Sequence, residues 1–170
     1  MQTFLNNLGY EKMTGMQEDY LSHSEENSIL LANTGSGKTL AFLLKTHRLL
    51  EESSPTDTVL IVSPTRELAR QIYEVLQKMR LPYSSMVCFG GHSFKNEKLQ
   101  FEQQPRIVVG TPGRILDHYD RGTEGLNPFT HLVIDEYDKT LELGFLNELS
   151  QIYTYADQLK SIQLISATAI

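Results

Sequence analysis

Two rhythms of apolar residues alternate along the chain. Short unbroken apolar runs predict strands near residues 28–33, 58–63, 85–89, 106–110, 131–135 and 162–165. Between them, apolar residues return every three or four positions. Leu40, Leu43, Leu44 and His47 share a stripe over about 38–50, a helix that ends before the loop 51–55. Leu68, Ile72, Val75, Leu76 and Met79 do the same over 65–79, with Thr65 placed to cap. A polar helix is expected near 94–103, another over 112–119, and a helical region over 139–157. Ahead of the first strand, Leu5, Leu8, Tyr10 and Met13, then Met16, Tyr20 and Leu21, predict two short helices broken around Gly15, followed by a polar loop over 22–27.

Most of the strand runs are continuously apolar, which a sheet covered on both faces requires. Repeated strand–helix units then give an α/β fold, one domain over residues 1–170 with a mainly parallel sheet and right-handed crossovers. In such folds ligands sit beyond the carboxyl ends of the strands.

Composition narrows the partners. A net charge of −6 makes the overall field repel nucleic acid, so any such contact must be local. The single cysteine, Cys88, lies in the apolar run Met86–Phe89 and reads as a small buried hydrophobe in a reducing, cytoplasmic protein. No apolar run is long enough to span a bilayer, and Met1–Asn7 is too short and polar for a secretory signal, so a soluble protein is expected. The five histidines show no metal-ligand spacing with each other or with Cys88, and no metal held by protein ligands alone is expected.

The first strand runs into Thr34-Gly35-Ser36-Gly37-Lys38-Thr39. Glycines there let the backbone approach a phosphate and turn its N–H groups toward it at the start of a helix. Lys38 would meet the β- and γ-phosphates, and Thr39 would offer a hydroxyl to Mg²⁺. Ala32 occupies the position where the generic phosphate loop begins with glycine. A plain Gly/Ser turn is the alternative, but it gives no reason to end in Lys-Thr.

Asp135-Glu136-Tyr137-Asp138 follows the strand at 131–135. Downstream of a phosphate loop, the first carboxylate suits Mg²⁺, largely through water, and the second suits a base that orients and deprotonates the attacking water. Three further strand ends carry Pro64-Thr65-Arg66, Gly90-Gly91 and Thr111-Pro112-Gly113-Arg114. Amides, hydroxyls and arginines at the mouth of a parallel sheet can hold a sugar–phosphate backbone without reading bases.

Taken in order, these segments and Ser166-Ala167-Thr168 resemble the first RecA-like domain of a DEAD-box RNA helicase, and the likeness covers nearly the whole chain. In that family alanine is usual at the position of Ala32. The resemblance implies ATP and Mg²⁺ as ligands, catalysis by Lys38, Asp135 and Glu136, and RNA along residues 64–66, 90–91 and 111–114. It also implies a hydrogen bond from Asp138 to the Ser166–Thr168 segment that couples hydrolysis to strand separation. The segment Gly9–Gln17 resembles the family's adenine-recognition stretch over residues 1–27, with Gln17 pairing the base and Tyr10 stacking on it. Met13 and Gly15 replace prolines usual there, and Tyr137 replaces the alanine of the family's name.

Family members continue into a second RecA-like domain, which the resemblance implies as a partner absent from this chain. A monomer that binds nucleotide but hydrolyses it poorly alone is therefore expected. An RNA clamp with little or no hydrolysis and a DNA-directed helicase remain as alternatives.

Overall fold

The computed structural model describes residues 1–23 and 27–168. Among these, six strands form one sheet: β1 (Ser28–Leu31), β2 (Val59–Val62), β3 (Ser85–Cys88), β4 (Ile107–Gly110), β5 (His131–Ile134) and β6 (Ser161–Ser166). Their order is β1-β6-β5-β2-β4-β3, and every pairing is parallel. All six carboxyl ends therefore open on one edge of the sheet, and each expected site segment that follows a strand leaves from that edge; the Gly9–Gln17 segment instead precedes β1 and runs into α2.

Eight helices complete the described chain: α1 (Gln2–Asn7), α2 (Gly15–Ser22), α3 (Lys38–Glu52), α4 (Arg66–Met79), α5 (Phe94–Phe101), α6 (Pro112–Asp120), α7 (Tyr137–Glu142) and α8 (Leu146–Thr154). None is long and apolar enough to cross a membrane. Thr65 caps α4 by accepting the Leu68 N–H at 3.2 Å, and Pro112 opens α6, where its missing N–H costs nothing.

The period of two along the strands divides the apolar side chains between two cores. Val59, Ile61, Val109 and Val133 face α3 and α4, where Phe42, Leu43 and Ile72 receive them. Leu60, Val62, Val108 and Ile134 face the other way, onto Ile115 of α6 and Leu149 and Ile152 of α8. Cys88 is fully buried in this second core. Gly110 ends β4 where a β-carbon would stand 2.8 Å from Ile115 Cδ1 and 2.9 Å from Cys88 Sγ, so only glycine lets α6 close onto the strand.

Three expectations need correction. The first break is not at Gly15, which is the first residue of α2; Thr14 caps that helix in a capping box with Gln17, and the chain turns earlier, at Gly9 with φ +79°. The helical region 139–157 is two helices, separated at Gly144, whose φ of +84° stops α7. The strand at 28–33 is not covered on both faces: β1 is an edge strand, with Ile29 and Leu31 exposed. Of the polar loop expected over 22–27, Ser22 is the last residue of α2, and residues 24–26 lie outside the described residues.

Candidate functional site

The loop after β1 is tied to the sheet by the Ala32 N–H, which donates to the Ser166 carbonyl of β6 at 3.1 Å. Gly35 and Gly37 lie in the left-handed region, at φ +79° and +91°, and Gly37 is the cap of α3. That puts the loop at a helix N-terminus, where partial positive charge favours an anion. Lys38 is buried beneath it and donates from Nζ to the Ala32 carbonyl at 2.7 Å. The buried Ser36 hydroxyl has no hydrogen-bond partner among the described residues.

Asp135 and Glu136 come from the end of β5, two strands away, to the same place. With Thr34, Gly35, Gly37, Lys38 and Thr39 they line one cavity of about 370 Å³, to which α4 contributes Leu68, Gln71, Ile72 and Val75. Burial, followed by repulsion from Glu136, pushes the Asp135 carboxyl up to about 7. Glu136 caps α7 in the left-handed region, with φ 49° and ψ 49°. A non-glycine residue held there marks a position where function is worth looking for. One hydroxyl, Thr39, and one carboxylate, Asp135, on the same cavity fit a hard cation that takes its remaining ligands from phosphate and water.

Gln17 reaches the loop from α2. Its side-chain N–H donates to the Gly37 carbonyl at 3.1 Å while its oxygen accepts the Thr14 N–H at 2.9 Å. Tyr10 is exposed and does not line the cavity. At the other side, Asp138 Oδ2 accepts from the Thr168 hydroxyl at 2.9 Å and from the Ala167 and Thr168 N–H groups at 3.2 and 3.1 Å. The Ser166 hydroxyl donates to the Thr168 carbonyl at 2.8 Å, closing that turn on itself.

A second hollow, a groove of about 680 Å³, lies farther along the same edge. Pro64, Thr65, Arg66, Gly90, Thr111, Gly113 and Arg114 line it, so segments from the ends of β2, β3 and β4 do come together. Gly91 adjoins Arg66 and Pro112 is buried at the start of α6; neither lines the groove. Glu67, Asp117 and Phe145 line it as well and were not anticipated. Asp117 follows Arg114 at helical spacing and pairs with it at 3.3 Å, a signal present in the sequence. Nothing local marks Phe145.

The DEAD/DEAH box helicase profile matches residues 14–170. The chain belongs to this family. Among curated DEAD-box relatives, it is 37% identical to the ATP-dependent RNA helicase DeaD of Escherichia coli, over 96% of this chain and 27% of DeaD. It is 36% identical to the ATP-dependent RNA helicase DbpA of Bacillus subtilis, over 96% of this chain and 35% of DbpA. The chain thus spans about a quarter to a third of the length of these relatives. Among solved structures, the DEAD box protein of Methanococcus jannaschii superposes with a TM-score of 0.82 at 34% identity, over 98% of this chain and 47% of that one. A hypothetical ATP-dependent RNA helicase from Sulfolobus tokodaii gives 0.85 at 28% identity, over 98% and 50%. The RecA-like fold of the DEAD-box domain is therefore common to all of them. Tyr137, the departure from the family's naming alanine, is half-buried against the second core.

Proposed function

We propose that this chain is the first nucleotide-binding domain of an ATP-dependent RNA helicase, working in the cytoplasm as a monomer and completed by a second RecA-like domain of the same protein. What supports the reading is one observation: a phosphate loop facing an Asp–Glu pair, and an arginine- and glycine-lined groove, open on the same edge of one sheet. The family membership supports the choice of ATP and RNA.

In this reading the loop amides and Lys38 hold the β- and γ-phosphates, Lys38 exchanging the Ala32 carbonyl for a phosphate oxygen. Thr39 and Asp135 hold Mg²⁺, which supplies neutralisation of phosphate charge. Glu136 orients the attacking water and takes its proton. Gln17 and Tyr10 select adenine, and Thr34 to Gly37 cradle the phosphates. Asp138, holding the turn Ser166–Thr168, carries the change at the γ-phosphate toward the groove. RNA lies along Pro64–Arg66, Gly90–Gly91 and Thr111–Arg114, gripped by its backbone. The domain alone supplies charge on one side of the γ-phosphate, so it binds nucleotide and turns it over slowly.

The test is ATP hydrolysis with and without single-stranded RNA, and with DNA as control, on this chain and on the longest natural chain containing it. RNA-stimulated turnover by the longer chain, with the shorter one near background, supports the reading. Equal stimulation by DNA points to a DNA-directed helicase, and binding without stimulated turnover points to a clamp; either outcome overturns it.

A further inference from the structure

Arg114 does not stand free in the groove. Its Nε–H donates to Glu97 Oε2 at 2.7 Å, Nη1 to Asp117 Oδ2 at 3.3 Å, and Nη2 to the His92 carbonyl at 3.0 Å. Glu97 lies on α5, is 1% exposed, and does not itself line the groove. Its other oxygen, Oε1, accepts the Phe89 N–H at 3.2 Å, immediately before Gly90-Gly91. His118 Nε2 stands 2.8 Å from Oε2, and His118 Nδ1 is 2.9 Å from the Thr123 hydroxyl. Phe94 stacks on the His118 ring, with centroids 4.3 Å apart, and lies under the Arg114 guanidinium at 4.9 Å.

A carboxylate is costly to bury unless charges and hydrogen bonds surround it; buried His118 satisfies Glu97 from one side, and its contacts to the Phe89 N–H and Arg114 hold parts of the groove. One oxygen fixes the backbone that enters the glycine turn after β3; the other fixes the arginine that follows β4. Guanidinium geometry is planar and forked, so holding Nε–H and one edge leaves the remaining Nη hydrogens pointing in a set direction.

We propose that Glu97 is a positioning residue of the groove: from outside it, this carboxylate sets Arg114 and the Gly90-Gly91 turn in fixed relation, so that a nucleic-acid backbone meets a preformed pair of contacts. The inference rests on the reading of the groove given above. Replacing the carboxylate by an amide of the same shape keeps an acceptor for Phe89 but presents at most a neutral partner to Arg114. Binding then has to order the guanidinium, and a small misplacement of a contact costs affinity out of proportion to its size.

The experiment is a double-mutant cycle with Glu97→Gln and Arg114→Gln. Affinity is read with a labelled single-stranded oligouridine in the presence of a non-hydrolysable ATP analogue, and nucleotide affinity is read separately. Glu97→Gln is expected to weaken RNA binding by on the order of tenfold, with nucleotide affinity unchanged. Added to Arg114→Gln it is expected to cost less than about twofold more, because its effect runs through the arginine. Equal losses in both backgrounds, no loss in either, or a parallel loss of nucleotide affinity would overturn the proposal. A second measurement needs neither a folded variant nor RNA: in the ¹⁵N spectrum of the unmutated protein, the Arg114 Nε–H must exchange far more slowly than that of Arg66. Comparable exchange sinks the proposal. Failure of the unmutated protein to bind RNA would remove the functional reading instead, and the Arg114 exchange rate would still decide whether Glu97 holds the guanidinium.

Discussion

The Arg66 guanidinium lies over Gly90, with Nη2 2.9 Å from where a β-carbon on that residue would stand. Arg66 is exposed and has no ion-pair partner among the described residues, whereas Arg114 is held by two carboxylates. The groove therefore has one cation free to meet phosphate directly and one held in place. Gly90→Ala pushes aside the tip of a flexible side chain and not backbone. Its expected effect is a loss of RNA affinity of about three- to tenfold with little change in Tm, checked by RNA titration beside a melting curve. Arg66→Ala is expected to weaken binding to all sequences alike and to lower the salt slope by about one.

Asp135 is 5% exposed, and burial together with Glu136 pushes its carboxyl up to about 7. An acid whose pKa is raised by folding favours the folded state below its unfolded value near 4, and that contribution is lost as pH rises through the folded value. At pH 8 the ionised group is a burden on the fold. Asp135→Asn is expected to raise the Tm of the nucleotide-free protein at pH 8 by roughly 2–6 °C, less so at pH 6, while abolishing Mg²⁺-dependent hydrolysis. Melting curves at both pH values check it; an unchanged or lower Tm at pH 8 counts against the assignment of strain to this carboxyl.

The carboxyl-terminal edge was legible because a parallel sheet makes position in sequence equivalent to position in space: any segment directly after an apolar run lands there. Gln17 shows where that logic ends. Thr14 and Gln17 carry the spacing of a capping box, which the resemblance to an adenine-recognition segment overshadowed; the glutamine does this local work and also reaches Gly37. Gly144 gives no visible break in the pattern because Leu141, Leu143, Phe145 and Leu146 on both sides of it sustain an apolar run through the turn. Glu97 had no signal, since a glutamate in a polar helix is ordinarily solvated. Only the packing of α5 against α6 turns it into a buried anion.

Glu136 combines a reactive assignment with a backbone in the left-handed region, at φ 49°. For a residue with a β-carbon this costs on the order of 1 kcal/mol, which glycine does not incur. Glu136→Gln is expected to abolish hydrolysis and keep nucleotide affinity and Tm near those of the parent. Glu136→Gly is expected to abolish hydrolysis too, but to raise Tm by about 1–3 °C. Measuring both variants separates the side chain's chemistry from the backbone's strain. A glycine variant that melts lower would show that Glu136 makes stabilising contacts outweighing that strain.

Acid should unfold the protein chiefly through Asp57, Glu97 and Asp138, whose carboxylates are held by hydrogen bonds or ion pairs. Burial alone would raise Asp57, but Lys160 Nζ, at 2.8 Å from both of its oxygens, holds it below the usual carboxylate range. Burial would likewise raise Glu97, and hydrogen bonds from His118 and Arg114 bring it below its ordinary value. Burial would raise Asp138 too, and hydrogen bonds from Thr168 and the Lys139 N–H together bring it below its ordinary value. A carboxylate depressed by folding contributes stability that is fully present above its unfolded pKa, near 4, and that fades as pH falls through the folded value. Stability is thus expected to fall steeply below about pH 4, and Asp57→Asn, which leaves Lys160 without its partner, to lower Tm at pH 7 while flattening the acid limb. If the Asn variant loses stability with acid as steeply as its parent, Asp57 is not among the groups that drive acid unfolding, and other depressed carboxylates, Glu97 and Asp138 among them, carry it.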